Sequence, residues 1–189
     1  MLNIKTRQTY LKALGFYKGE VDGLEGKLTK AAYLALQKAY FTRKSDHDGI
    51  YGTDTERLLL SVYRVKKHCK NFKVEEFKCQ CGGKYCSGYP AALDEQFLKN
   101  IQKVRDKYGS VRITSGMRCD RHNANVGGSS GSRHRLGKAA DFVVSCCSKE
   151  SGRKQVMAYW KTLPNWRYTY CNIGGNYPNM GSAVHVDVS

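Results

Sequence analysis

The sequence predicts two folded parts: an all-α bundle of three helices, followed by a larger α+β part with an antiparallel or mixed sheet. Three observations carry this reading. Residues 1–68 contain no cysteine, and all eight cysteines fall in residues 69–189. Charge shifts at the same place: residues 1–65 carry 11 basic and 7 acidic side chains, and residues 66–189 carry 21 and 9. The first part repeats one turn-and-helix pattern, whereas the second mixes helical spacing with strict alternation. The boundaries that follow are 1–65 for the helical part, 66–74 for a polar basic linker and 75–189 for the α+β part. A part of about 65 residues is near the lower limit for a self-sufficient core.

The elements follow in order. Residues 5–14 have helical character and stop at Gly15, a residue suited to a helix C-cap. Two turn motifs come next, Asp22-Gly23-Leu24-Glu25-Gly26-Lys27-Leu28-Thr29 and Asp48-Gly49-Ile50-Tyr51-Gly52-Thr53-Asp54-Thr55. Each reads D-G-x-x-G-x-x-T. The Asp-Gly pair is a turn signal, and the second Gly is placed to supply positive φ. Helices over 29–40 and 55–63 then follow, with Thr53 and Glu56 at capping-box spacing. In the second part Leu93, Phe97, Leu98, Ile101 and Val104 give residues 92–108 an apolar helical face. Residues 111–114 and 139–145 read as strands, and 153–163 as a helix. Val184-His185-Val186-Asp187-Val188 alternates strictly, which puts three valines on one face and His185 with Asp187 on the other.

A net charge of +16 points to a polyanionic partner: nucleic acid, an anionic membrane surface or an anionic cell wall. No helix-turn-helix or zinc-finger spacing supports nucleic acid, so none is expected as a partner. No apolar run reaches signal-peptide or membrane-spanning length. The expectation is synthesis in the cytoplasm without a signal peptide, no membrane insertion, and a monomer.

The sharpest local pattern is Ser132-Arg133-His134-Arg135-Leu136-Gly137-Lys138-Ala139-Ala140-Asp141, S-x-H-x-x-G-x-A-x-D. His134 would lie on the loop leading into the strand that carries Asp141. His185 could join them if the terminal strand is a neighbour. Two imidazoles and a carboxylate give zinc three protein ligands and leave a fourth position for water or substrate, as catalytic zinc requires. Taken singly, a histidine is more often a core or surface residue than a metal ligand. Cys79-Gln80-Cys81-Gly82-Gly83-Lys84-Tyr85-Cys86 reads C-x-C-x4-C. With a fourth ligand such as Cys119, Cys146 or Cys147 it could hold a second, structural zinc. Its spacing departs from paired C-x2-C knuckles, and plain thiols or disulfides are the preferred reading. No cysteine has a His partner by motif, so a catalytic cysteine is not expected.

Two resemblances add to this. A-L-G-F-Y, then G-x-V-D-G-x-x-G, then T-x-x-A-x-x-x-x-Q, spanning nearly all of residues 1–65, resembles the peptidoglycan-binding domain 1 family, a three-helix module. S-G-M-R at 115–118, N-x-x-V-G-G at 123–128, S-x-H-x-x-G-x-A-x-D at 132–141 and H-V-D-V at 185–188 together resemble the M15 zinc peptidases. These are the D-Ala-D-Ala carboxypeptidase and L-alanyl-D-glutamate endopeptidase superfamily, and the likeness is to the branch found in phage endolysins. The resemblance implies that His134, Asp141 and His185 bind one catalytic Zn2+. It implies that Arg118 binds a substrate carboxylate or a developing oxyanion. It also implies a substrate in bacterial peptidoglycan, reached after the protein's release from the cytoplasm. One departure stands out. Family members place a catalytic Glu or His two or three residues before the last histidine ligand, where this chain has Ala183 and Ser182. Asp187 could serve as the base or could orient His185, and Tyr170, Tyr177 and His122 are weaker choices. The leading expectation is a wall-anchored lytic zinc peptidase. The alternative is a peptidoglycan-binding or remodelling accessory with a degenerate metal site.

Overall fold

In the computed structural model, which describes residues 1–189, helix α1 (Ile4–Leu14) begins where Asn3 Oδ1 accepts the Thr6 N–H. It ends at Gly15, whose φ of 88° lets its N–H reach the carbonyls of Leu11 and Lys12. Helices α2 (Lys27–Tyr40) and α3 (Thr53–His68) each follow one copy of the turn motif. Positive φ falls on the first glycine of each copy, Gly23 at 83° and Gly49 at 70°, and not on the second as expected. The reason is a buried glutamine. Gln8 Oε1 accepts the Gly23 N–H, while its Nε2 donates to Asp22, to Leu24 O and to Thr29 Oγ1. Gln37 repeats the set, with Gly49 N–H, Asp48, Ile50 O and Thr55 Oγ1. The left-handed glycine turns its N–H inward to that amide. The expected capping box at Thr53 does not form. Gly52 is the cap, and the Glu56 carboxylate accepts the Leu2 N–H at 2.6 Å.

The expected linker, 66–74, is packed. Its first three residues are the last turn of α3; Cys69, Phe72 and Val74 are buried, and Val74–Phe77 form a 3-10 turn. Helix α4 (Glu95–Tyr108) is capped by Asp94, which accepts the Phe97 N–H at 2.9 Å. Its expected face is fully buried at Phe97, Leu98, Ile101 and Val104. Strand β1 (Arg112–Ser115), the short helix α5 (Asp120–Asn125), β2 (Ala139–Val143), α6 (Glu150–Trp160), β3 (Trp166–Cys171) and β4 (Val184–Val188) complete the chain. The sheet order is β1-β2-β4-β3, antiparallel throughout. The expectation of β1 and β2 holds to within two residues at either end, whereas β3 was not expected.

The alternation in β4 does what its pattern demands. Val184, Val186 and Val188 join Phe142, Val156 and Trp160 in the core on one face of the sheet. Asp141 on β2 stands directly opposite His185, and Tyr170 on β3 flanks His185 from the other side. Pairs directly opposite in a sheet bring their side chains within a few ångströms on the same face. No helix is long and apolar enough to cross a membrane.

Candidate metal centre

Three buried side chains converge on the polar face of the sheet. His134 comes from the turn Arg133–Leu136 that precedes β2, Asp141 from the middle of β2 and His185 from β4. His185 Nδ1 lies 2.7 Å from Asp141 Oδ1 and 3.2 Å from His134 Nε2, and His134 Nε2 lies 3.4 Å from the same carboxylate oxygen. Ligands bound at about 2.0–2.1 Å around a tetrahedral zinc are separated by roughly 3.3 Å, close to this triangle.

The surroundings act on the protonation of each of the three residues. His134 Nδ1 donates to the Gly116 carbonyl at 2.6 Å, which leaves Nε2 bare and turned inward. Burial pushes the His134 pKa down, although Asp141 pulls the other way, so the ring favours its neutral, ligating form. His185 turns Nε2 towards Asp187 Oδ2 at 3.7 Å, while its Nδ1 faces Asp141 Oδ1 at 2.7 Å. Burial lowers the His185 pKa, but its hydrogen bond with Asp141 and the charges of Asp141 and Asp187 outweigh it and the net shift is upward. Burial likewise opposes ionisation of Asp141, yet its hydrogen bonds with His134 and His185 hold the carboxyl well below the usual range. Two imidazole nitrogens and an anionic oxygen facing one point fit a zinc ion.

Arg118 is where the sequence places it, beside the centre, but it touches a ligand first. Its Nη2 donates to Asp141 Oδ2 at 2.7 Å and its Nε donates to Ser115 Oγ at 2.9 Å. That bond occupies one carboxylate oxygen and leaves Oδ1 to the metal. Asp187 is also engaged: Oδ1 accepts the Tyr168 N–H at 2.7 Å, and Oδ2 lies 3.4 Å from Arg167 Nη1. Tyr170 stacks on the His185 ring, with centroids 4.7 Å apart, and Tyr177 packs against Tyr170. His122 sits on α5 and does not line the cleft.

A cleft of about 350 Å³ opens over the centre, lined by Arg118, His134, His185, Arg167, Tyr168 and Tyr170 and by the glycine- and serine-rich loop before His134. Arg167 and Tyr168 are the functional candidates that sequence reasoning missed, because both belong to β3. The aromatic, β-prone run Trp166-Arg167-Tyr168-Thr169-Tyr170 was the available signal.

An antiparallel sheet carries the buried His-Asp-His triad under an open cleft, an arrangement able to hold a metal ion. The family model described as Peptidase M15 matches residues 70–171, and the chain belongs to that family. The chain is also 30% identical over 172 residues to the zinc D-Ala-D-Ala carboxypeptidase of Streptomyces albus G. That match covers 88% of the chain, more than the part from residue 66 onward could supply alone, and 63% of the relative's length.

Proposed function

We propose that this protein hydrolyses an amide bond in the stem peptide of peptidoglycan, as an endolysin-type enzyme that residues 1–65 hold on the wall. The observation that carries the chemistry is the triangle of His134 Nε2, His185 Nδ1 and Asp141 Oδ1 beneath an open cleft. A zinc ion held by these three residues supplies Lewis acidity towards a carbonyl and acidifies water. The chain's own residues do the rest. Arg118 fixes the Asp141 carboxylate through Nη2, and its Nη1, which makes no hydrogen bond within the protein, is free to take a substrate carboxylate or developing oxyanion. Asp187 fixes the His185 ring and is itself held by the Tyr168 amide, which suits a positioning residue better than a base. Tyr168 and Tyr170 wall one side of the cleft.

The wall as substrate is supported by the named activity of the Streptomyces relative, by the sequence pattern of residues 1–65 and by a charge of +16 facing anionic wall polymers. Action on the wall after release from the cytoplasm completes this reading. The accessory reading keeps one observation in its favour: exposed Ser182 and buried Ala183 stand where a general base is usual. Zinc-loaded protein incubated with purified walls, with and without a chelator, decides between them. New amino groups that vanish with chelator are expected, and mass spectrometry of the released muropeptides names the bond. Wall binding without new amino groups leaves the accessory reading standing.

A further inference from the structure

Four of the eight cysteines meet at one place outside the centre described above. Cys79, Cys81 and Cys86 come from a loop whose two adjacent glycines, Gly82 at φ 64° and Gly83 at φ 87°, turn it back on itself. Cys119 joins them from the position just before α5. All four sulfurs lie within 4.8 Å of one another, and Cys81 Sγ and Cys86 Sγ are 3.6 Å apart. Four thiolates bound at about 2.3 Å around a tetrahedral zinc have edges of roughly 3.8 Å. A disulfide draws sulfurs together in pairs at about 2.05 Å, and nothing in the cluster is paired off in that way.

The surroundings also suit thiolates. The Cys119 N–H donates to Cys79 Sγ and the Gly88 N–H donates to Cys86 Sγ, each at 3.4 Å. Such backbone dipoles stabilise negative sulfur. The donor set is sulfur alone, which selects zinc over calcium or magnesium. Cys69, by contrast, donates to the Leu98 carbonyl inside the core and stays apart.

We propose that Cys79, Cys81, Cys86 and Cys119 bind a second, structural zinc ion. The four thiols lose their protons as four Zn–S bonds form, and no oxidant is needed. With four protein ligands the site is closed and offers no position to substrate. The ion clips the cysteine loop to the segment that ends in Arg118. That segment is already laid tightly on the loop: the Met117 N–H donates to Phe77 O at 2.8 Å, and a Cβ at Gly116 would sit 2.4 Å from the same carbonyl.

The test is the metal content of the full-length protein purified with zinc, read by inductively coupled plasma mass spectrometry beside the absorption of its cobalt form. Two zinc ions per chain are expected. His134→Ala and His185→Ala should each retain one, and their cobalt forms should show intense thiolate-to-cobalt charge-transfer bands. Cys81→Ser with Cys86→Ser should retain the other and lose those bands. Should the cysteine variants fail to fold, a mercurial thiol reagent added to wild-type protein should release one ion of the two. A single zinc in the wild type, lost in His185→Ala, overturns the proposal. So does an intact mass two hydrogens light, with a disulfide mapped among these four cysteines. Neither result counts against the His-Asp-His centre, whose own ion the histidine variants report.

Discussion

His134 and His185 present different nitrogens to one point because different partners hold their far sides, a backbone carbonyl for one and a carboxylate for the other. Their substitution should therefore remove metal and catalysis together. His134→Ala or His185→Ala is expected to lower hydrolysis of purified walls by about 10³-fold or more, since metal chemistry supplies several kcal/mol. Sedimentation with walls should stay intact, and full activity in either variant would sink the zinc assignment. Asp187 separates two roles that sequence alone left open. If it orients His185, Asp187→Asn lowers zinc affinity by about 10–100-fold, measured by competition with a chelating dye. If it is the base, zinc affinity holds, the turnover of zinc-saturated enzyme collapses and the acid limb of the pH–rate profile disappears.

At the scale of elements, the two turn-and-helix copies hang on the amides of Gln8 and Gln37. Each is fully buried or nearly so, and each satisfies a whole turn. Gln37→Ala strands several buried polar groups, so a loss of about 1–3 kcal/mol is expected, read by chemical denaturation. Because the two turns share no hydrogen bonds, the effect of Gln8→Ala should add to it. The loop between α2 and α3 carries a pH-sensitive contact. Asp46 is held by Ser87, Ser45 and Arg43, which outweigh the burial that opposes its charge and depress its pKa. A carboxylate depressed in the folded state contributes stability above its unfolded value, near 3.9, and loses it as pH falls further. Asp46→Asn should therefore cost stability at pH 7 and progressively less in acid. Much at this scale is legible in the sequence. The apolar face of α4, the Gly15 stop and the alternation of β4 are periodic signals. Gln8 and Gln37 are not, because one polar residue inside an amphipathic helix looks the same whether it faces water or a buried turn. Strand β3 escaped because its side chains at Trp166 and Tyr168 are exposed, so polarity does not alternate along it. Cys119 could not be chosen as the fourth thiol over Cys146 or Cys147, since only the fold brings it to the loop.

Across the whole molecule, one hydrophobic core runs from Leu11 and Tyr33 to Val186. Phe72, Phe77, Phe97 and Trp160 carry it as successive ring contacts, 5.5, 6.0 and 6.3 Å between centroids. Polar bonds cross as well: Arg64 donates to Leu93 O at 2.7 Å, and the Leu93 N–H donates to Ser61 Oγ at 3.1 Å. Deleting residues 1–65 should accordingly do more than weaken wall association. The remainder should unfold at a lower temperature and bind an apolar dye, and an unchanged melting point would show that the shared core contributes nothing. Wall association of the intact protein should fall as salt rises, because screening shortens the reach of its +16 charge. The sheet order adds a consequence in time. Strand β4 is the last of the four to be synthesised, yet it lies between β2 and β3. On the ribosome, the three earlier strands must wait with open edges, and neither the sheet nor the His-Asp-His set can close until residue 185 has emerged. A nascent chain thus lacks its complete His-Asp-His set until residue 185 has emerged, and its unpaired β2 and β3 edges are where a stalled one would aggregate.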